Sequence, residues 1–349
     1  MKNFNIGRTK HQKIVRFVLS LCLLFATSAK AKEVKFNDLT IDALDAQKII
    51  LTGFKASVKL LPAKTPGKIV IHAKKIIDDK RSSSDDAWVY GAKHDEKNIK
   101  IEVRGPDSQS AREDLKLGTT EFQFEIEAPN LAFDIALREG SINIQNWNST
   151  LNLVILDGNV NISHCGAFVH LQCQSGEVRI TNHKGRVEIE SLKAKLFISE
   201  FEGNLRIKNF AGESNLEKIS ASVQIRSKLG SSHIAKSQGS LEIENGKGPF
   251  NILEFNGQIR GQNEDGSLTA KLMGDIDVSL ETLTGSMSFK VPESSGAFAK
   301  LLSEEGSLTA PENFKTGKLG NLKVASGRFN GSEKGSLLLK SKTGNLRVH

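Results

Sequence analysis

The chain of 349 residues has three cysteines, no long hydrophobic run beyond residue 31, and almost no aspartate in its centre. Without a run of about 20 apolar residues, the part after residue 31 has no membrane helix. Between residues 140 and 266 the only aspartates are Asp157 and Asp265. Nine-residue calcium repeats of the toxin type need an aspartate in each unit, so that class is excluded. The same scarcity argues against a polysaccharide lyase that stacks carboxylates around calcium.

The chain also lacks a surplus of positive charge once its amino-terminal segment is set aside. Basic residues precede an apolar run from Phe17 to Phe25, and Ala29-Lys30-Ala31 has the small-x-small form of a signal peptidase site. We predict that residues 1–31 are a signal peptide cleaved after Ala31 and that the protein is periplasmic or secreted; a retained anchor is the alternative. This segment holds six of the 48 Lys and Arg and none of the 40 Asp and Glu, leaving 42 basic and 40 acidic residues, net +2. No global nucleic-acid-binding surface is expected.

Two cysteines, Cys165 and Cys173, remain after the predicted cleavage. An exported protein can form a disulfide, but eight residues of extended chain would have to fold back to close it. We therefore favour two buried free thiols and leave the bond open. Three nearby histidines, His164, His170 and His183, suggest a metal site, but the spacing is not that of a zinc finger and the side chains are expected to face different ways. No metal or other cofactor is predicted.

What the chain has instead is a nine-residue repeat from Gly140 to Gly266. Steps of nine from residue 140 meet Gly, Ala or Ser at fifteen successive positions, eleven of them Gly. Two and four residues after the small residue, the side chain is mostly β-branched or Leu, as in Val178 and Ile180. Alternation of period two predicts a strand, and glycine suits a corner because it adopts positive φ without cost. Large apolar residues seven positions after the small one are predicted to pack each corner from inside: Trp147, Leu156, Leu192, Phe201, Phe210, Ile219 and Phe255.

One strand and one corner per nine residues predicts an all-β fold, a parallel β-solenoid or β-helix capped by an N-terminal β region. The predicted parts are the signal peptide at 1–31, the cap at 32–127, the regular solenoid at 128–290 and irregular solenoid coils at 291–349. Within the last part, Gly296–Glu305 is predicted as a short helix from the spacing of its apolar residues. Trp88 and Tyr90 are expected to anchor the cap, with stacking on a sugar as the alternative.

The number of strands per turn stays open at this point, because two periods fit the sequence. A 27-residue turn stacks Ala167, Ala194 and Ala221, and also Asn182 on Asn209. An 18-residue turn stacks a different polar set: Ser191, Asn209, Ser227, Asn245 and Asn263. We favour the 27-residue turn.

The choice of period decides whether a basic stripe exists. In the 27-residue register four residues fall on one outward column with Lys208 beside it: Arg179, Arg206, His233 and Arg260. Stacked like charges repel unless an anion neutralises them, so this column is the predicted binding site, for an acidic glycan or a lipopolysaccharide phosphate. In the 18-residue register Glu188 lies near Arg206 and Glu242 near Arg260, and the charges satisfy each other.

The order of motifs resembles that of a known family. Extended segments lead to Glu121-Phe-Gln-Phe-Glu-Ile-Glu-Ala-Pro129; Gly-x-apolar-x-apolar units follow, then Ser286-Met-Ser-Phe-Lys-Val-Pro292 and a closing Thr343-Gly-Asn-Leu-Arg-Val348. This is similar to the bacterial putative-adhesin β-solenoid domains, found in exported and envelope proteins and of largely unknown function. The resemblance covers nearly all of the chain after residue 31. It implies the architecture and brings no catalytic residues with it.

We therefore predict a cell-envelope β-solenoid that is not an enzyme and serves as a structural or adhesive module for an envelope polysaccharide or a partner protein. The first alternative is a carbohydrate-active β-helix enzyme, which needs paired carboxylates across a cleft. The recurring glutamates are instead expected to be solvated: Glu188, Glu190, Glu217, Glu242 and Glu244. The second alternative is an envelope assembly or stress factor that acts through protein contacts.

Overall fold

The computed structural model describes residues 32–77, 89–95, 97–104, 120–292, 295–329 and 334–349. In these ranges the chain is all β, with 22 strands in one open sheet and no helix. Accordingly, the described part contains no helix able to cross a membrane. The predicted signal peptide and Trp88 lie outside the described residues.

The strands of the amino-terminal part are β1 (Lys32–Lys35), β2 (Leu39–Asp42), β3 (Lys48–Pro62), β4 (Lys68–Ile77), β5 (Val89–Asp95), β6 (Asn98–Arg104) and β7 (Thr120–Ala128). The long central strands are β8 (Ala132–Gln145), β9 (Leu151–Cys165), β10 (Phe168–Ser191), β11 (Lys195–Asn209), β12 (Ser214–Ser227), β13 (Ser232–Asn245), β14 (Phe250–Asn263) and β15 (Leu268–Thr282). The last strands are β16 (Met287–Lys290), β17 (Phe298–Ser303), β18 (Leu308–Thr309), β19 (Lys315–Leu319), β20 (Leu322–Arg328), β21 (Ser336–Ser341) and β22 (Leu346–Val348).

Strands β8 to β15 pair in parallel with an 18-residue period. Gly140 lies opposite Gly158, Gly158 opposite Gly176, and Gly185 opposite Gly203. The preference for a 27-residue period was therefore wrong, and two nine-residue units make one structural repeat. Between β14 and β15 the register shifts near Phe255, and the offset becomes 19.

The two halves of each repeat differ because one residue in every 18 has a left-handed backbone. These non-glycine residues have φ between 50° and 58°: Asn146, His164, Asn182, Glu200, Lys218, Lys236 and Glu254. A left-handed residue shifts the inside–outside alternation by one position, so the side chain after it points inward. Those inward residues form what we call the Trp147 column: Trp147, Cys165, His183, Phe201, Ile219, Ser237 and Phe255, all buried.

In the other half of the repeat no described non-glycine residue has a left-handed backbone, and the large residue at the corresponding position is not turned inward. Leu156, Leu192 and Phe210 therefore stay outside, with 47%, 40% and 48% of their surface exposed. The prediction that all large residues at this position pack inside is confirmed for the Trp147 column and wrong for these three.

The core is one connected cluster of mainly aliphatic side chains that runs through all the repeats. Ile162, Val169, Leu171, Ile180 and Ile189 have 0% exposure. Each such residue contributes about 1.5–3 kcal/mol through its burial. The stack therefore has its own hydrophobic stabilisation along its whole length.

The amino-terminal strands extend the same sheet. Strand β3 pairs in parallel with β8, and β6 and β7 pair with its two halves. Strands β1 and β2 pair antiparallel with β4, β4 with β7, and β5 with β6. Tyr90 packs against Phe36 and Phe124 with ring centroids 5.0 and 5.5 Å apart, as expected for an anchoring residue.

The carboxyl-terminal strands do not follow chain order. Strand β21, near the end of the chain, lies between β15 and β17, and β22 lies between β16 and β18. The hairpin β19–β20 ends the sheet on this side, and its strand β20 pairs with β17. The predicted helix at Gly296–Glu305 is wrong: its centre is β17, because pairing with strands on both sides outweighs the local helical spacing.

Candidate functional site

The 18-residue period separates the predicted basic stripe into two surfaces. Arg179 lies opposite Phe197, and His233 belongs to the same column three repeats further on. Arg206 lies between Glu188 and Gln224 on the other half of the repeat, and Arg260 lies opposite Glu242. Lys208 is beside Arg206. The structure therefore does not bring the five residues into one column, and the condition on which the predicted site rested is not met.

Charged or polar partners surround most of these residues. Arg179 Nε lies 2.5 Å from Glu177 Oε1, and its guanidinium is 4.5 Å from the Phe197 ring centroid. Lys208 Nζ donates to Glu190 at 2.6 Å, and Arg206 Nε donates to the Gln224 side chain at 2.7 Å. Exposed pairs of this kind contribute about 0–1 kcal/mol each. The arrangement resembles the self-satisfied alternative more than an anion site, although the partners differ from those expected.

The recurring glutamates take part in the same pairing. Glu188 accepts from Arg186 at 2.5 Å and Glu244 lies 2.9 Å from Arg226. A hydrogen bond from Arg186 lowers the pKa of Glu188, and one from Lys208 lowers the pKa of Glu190. Glycosidase general acids need a raised pKa, so these two carboxyls have the opposite shift.

The structure does not bring Cys165, Cys173 and the three nearby histidines together as a metal site would require. Cys165 and Cys173 are buried free thiols, and burial raises the pKa of Cys173 to about 11. Burial also raises the pKa of Cys165. His164 and His170 point outward while His183 is fully buried. Across the described residues, no three His, Cys, Asp or Glu side chains come together as metal ligands would.

His183 has an unusual position inside the Trp147 column. Its ring stacks on Phe201 with centroids 5.5 Å apart and an interplanar angle of 3°. Nε2 is 3.0 Å from the carbonyl oxygen of Ala167, and Nδ1 has no hydrogen-bond partner. Because its neighbours are Cys165 and Phe201, no opposite charge offsets its burial.

We expect His183 to make the protein less stable at acidic pH. Burial lowers the pKa of the imidazole below its ordinary value of 6.5, so the unfolded chain binds the proton more readily than the folded one. The contribution of neutral His183 to the free energy of unfolding is complete above pH 6.5. Below pH 6.5 it is lost at about 1.4 kcal/mol per pH unit, until the pH reaches the pKa of His183 in the folded protein. His183→Phe, a residue that the column already contains at Phe201, should remove this dependence. Urea unfolding at pH 7.5 and 5.0 measures it; equal acid losses in both proteins would contradict it.

A groove follows the outside of the unshifted half of the repeat. It has a volume of about 830 Å³ and runs from Val154 to Glu264. Its outward-facing residues form two parallel columns, which lie two residues apart along each strand. Val154, Gln172 and Glu190 belong to one of these columns. Since adjacent strands are about 4.8 Å apart, seven repeats give a length of about 29 Å.

The two ends of the groove differ in chemistry. One end is apolar, with Val154, Leu156, Leu192 and Phe210 each more than a third exposed. The other end is charged but neutral overall, because Lys228 pairs with Glu264 at 2.9 Å and Arg226 with Glu244 at 2.9 Å. Two signals in the sequence mark this groove: the polar stack of the 18-residue period, and the large residues Leu192 and Phe210. The sequence-based prediction placed Leu192 and Phe210 inside, because it treated the two halves of the repeat as equivalent.

A ladder of largely buried polar side chains lies beneath the groove. Ser191 donates to Asn209 at 2.8 Å, and Asn245 donates to Asn263 at 2.6 Å. Ser227, Asn245 and Asn263 also donate to the backbone carbonyl three residues ahead, as Ser227 does to Gly230 at 3.0 Å. This is the stack predicted for the 18-residue period, and its hydrogen bonds fix the loops beside the groove.

Comparison with known proteins gives distant structural neighbours only. No family model and no curated protein matches the chain. A "putative cell adhesion protein" from Clostridium sporogenes is 13% identical over 91% of this chain and 99% of its own, with a TM-score of 0.21. A "putative adhesin" from Parabacteroides merdae is 10% identical over 75% and 97%, with a TM-score of 0.26. A "putative lipid binding protein" from Parabacteroides distasonis is 14% identical over 73% and 96%, also at 0.26. At these TM-scores the function has to be argued from the chain's own residues.

Proposed function

We propose that this chain is an exported, non-catalytic binding module whose 18-residue repeats wind as a two-sided β-solenoid. Export is inferred from the basic and apolar segment at 1–31. The solenoid is inferred from the in-register pairing of β8 to β15 and from the alternating inward residues that share one core. The observation that carries the binding role is the groove beside Phe210.

We propose a neutral polysaccharide as the ligand of the groove. Phe210 presents a half-exposed ring on which a sugar can stack, and Leu192 extends that apolar surface. Gln172, Gln174 and Gln262 supply amides along the walls. The lysine and arginine residues of the groove are paired with glutamates, so it has no charge for an acidic ligand to neutralise. A groove of about 29 Å suits a polymer better than a single sugar.

Phe210→Ala is expected to weaken glycan binding about fivefold to tenfold while leaving the stability nearly unchanged, because the ring is largely outside the core. A glycan array identifies the ligand, and calorimetry compares the variants. Phe168→Ala is the matched control, since Phe168 is 37% exposed outside the groove. Equal losses in both variants would contradict the groove as the site.

The alternatives give different results in the same experiments. Hydrolysis or elimination of a bound glycan would show a carbohydrate-active enzyme. Capture of an envelope protein, with no glycan bound, would indicate an assembly or stress factor that acts through protein contacts.

A further inference from the structure

Four strands lie at the end of the sheet that carries the hairpin β19–β20, and all of their charged residues are positive. Strands β17, β19, β20 and β21 have six Lys or Arg residues and no Asp or Glu. In the sequence from 311 to 349 there are eight Lys and Arg against two Glu, a net charge of +6. Because the chain after residue 31 nets only +2, the positive charge is concentrated at this end.

Four of these cations, three lysines and Arg328, lie on one side of the sheet, with Arg328 opposite Phe298. Lys300 and Lys315 are both opposite Ser326 of β20. Lys340 of β21 is opposite Glu281 of β15, where this positive surface ends. All three lysines are exposed. They point away from the core, because the residues that alternate with the lysines of β17 and β21 are buried.

Apolar side chains share this side of the sheet. Leu302 lies opposite Val324, and Leu322 lies opposite Leu319. Leu319, next to the hairpin turn, has 66% of its surface exposed, and Phe298 has 46%. We call this surface the terminal face; its apolar members are Phe298, Leu302, Leu319, Leu322, Val324 and Leu338, and its cations are Lys300, Lys315, Arg328 and Lys340.

We propose that the terminal face docks on the surface of an anionic lipid bilayer. Leucine and phenylalanine side chains between lysines match an interface where apolar groups enter the acyl boundary and ammonium groups reach the phosphates. The four strands contain no Asn or Gln, whose amides a sugar-binding surface would place beside its ring. The proposal is independent of the groove, which lies on other strands.

A second role for the same lysines has to be separated from this one. Strand β19 is exposed at all five residues and, among the described strands, pairs only with β20. Lysines on such an edge oppose pairing with another chain. If that were their only role, removing them would cause association without affecting lipid binding.

The test is co-sedimentation of the full chain with vesicles of phosphatidylcholine and phosphatidylglycerol mixed at roughly two to one, compared with pure phosphatidylcholine. The segment at 1–31 is common to all variants, so differences between them report on the terminal face. Lys300→Gln, Lys315→Gln and Lys340→Gln together should weaken binding to anionic vesicles on the order of a hundredfold, since each lysine contributes about a factor of five. High salt should also weaken binding to the anionic vesicles, because it screens the attraction between the lysines and the lipid phosphates.

The matched control removes the same charge elsewhere, with Lys193→Gln, Lys195→Gln and Lys247→Gln, all exposed. It should retain most of the binding. Leu319→Ser should weaken binding further, whereas Leu229→Ser, at a site 51% exposed, should not. Equal losses in the two triple variants, no binding of the wild type to anionic vesicles, or binding only to a soluble acidic polysaccharide would overturn the proposal. Association of the terminal-face variant with unchanged vesicle binding would leave only the edge-protecting role and would also overturn it.

Discussion

Gly203→Ala is expected to lower the free energy of unfolding by about 3 kcal/mol or more. Gly203 has φ of +130°, a conformation that residues with a side chain rarely adopt. A Cβ built there would lie 2.0 Å from the carbonyl oxygen of Gly185 in the preceding repeat. Backbone cannot move away from this contact without disturbing the pairing of β10 with β11.

The control for Gly203 lies in the next repeat. Ala221 occupies the equivalent position opposite Gly203 and is not among the residues with positive φ. Ala221→Gly should therefore cost only about 0.5–1 kcal/mol. Equilibrium urea unfolding followed by circular dichroism compares the two. A Gly203→Ala loss no larger than that of Ala221→Gly would show that close stacking is not limiting here.

Asn263→Leu is expected to cost about 3 kcal/mol, although the side chain keeps its branching and its number of non-hydrogen atoms. Asn263 is 1% exposed and accepts a hydrogen bond from Asn245 at 2.6 Å. Its amide donates to the carbonyl oxygen of Gly266 at 2.5 Å and contacts Thr282 Oγ1 at 3.1 Å. Leucine would leave these buried groups of the polar ladder without a partner.

The matched variant is Asn263→Thr, because a threonine, Thr282, already occupies the next position of the polar ladder. Thr282 donates its hydroxyl to the carbonyl oxygen of Gly285 at 2.9 Å, three residues ahead, as Asn263 does to Gly266. Threonine at 263 should therefore retain the backbone bond and lose about 1 kcal/mol. Thermal and urea unfolding measure both changes; equal costs would mean that volume rather than hydrogen bonding dominates the stack.

The repeat and its strands were predictable because two physical signals coincide. Small residues every nine positions mark sites where the backbone of one repeat approaches the next, as at Gly203. Alternation of β-branched residues marks the inward face, as at Val178 and Ile180, which are 1% and 0% exposed. Both are local properties, so they are visible along the chain.

The period and the groove were not predictable, because both depend on differences between the two halves of the repeat. Left-handed residues at Asn146 and at every eighteenth position after it include Asn, His, Glu and Lys, so no residue type marks them. Their effect places Phe201 inside and Phe210 outside, although both follow a small residue by seven positions. Strand order at the end of the chain was hidden as well, since the insertion of β21 between β15 and β17 is a long-range pairing.

The measurement that most directly tests the 18-residue period, on which the groove and the broken stripe both depend, is oxidation of paired cysteines. Ser240 Oγ donates to Ser222 Oγ at 3.0 Å, so Ser222→Cys with Ser240→Cys should form a disulfide rapidly in the folded protein. Ser240→Cys with Ser267→Cys, a pair that only a 27-residue turn would stack, should stay reduced under the same conditions, as should the buried Cys165 and Cys173. A disulfide between positions 240 and 267, with none between 222 and 240, would contradict the two-sided arrangement and restore the 27-residue turn.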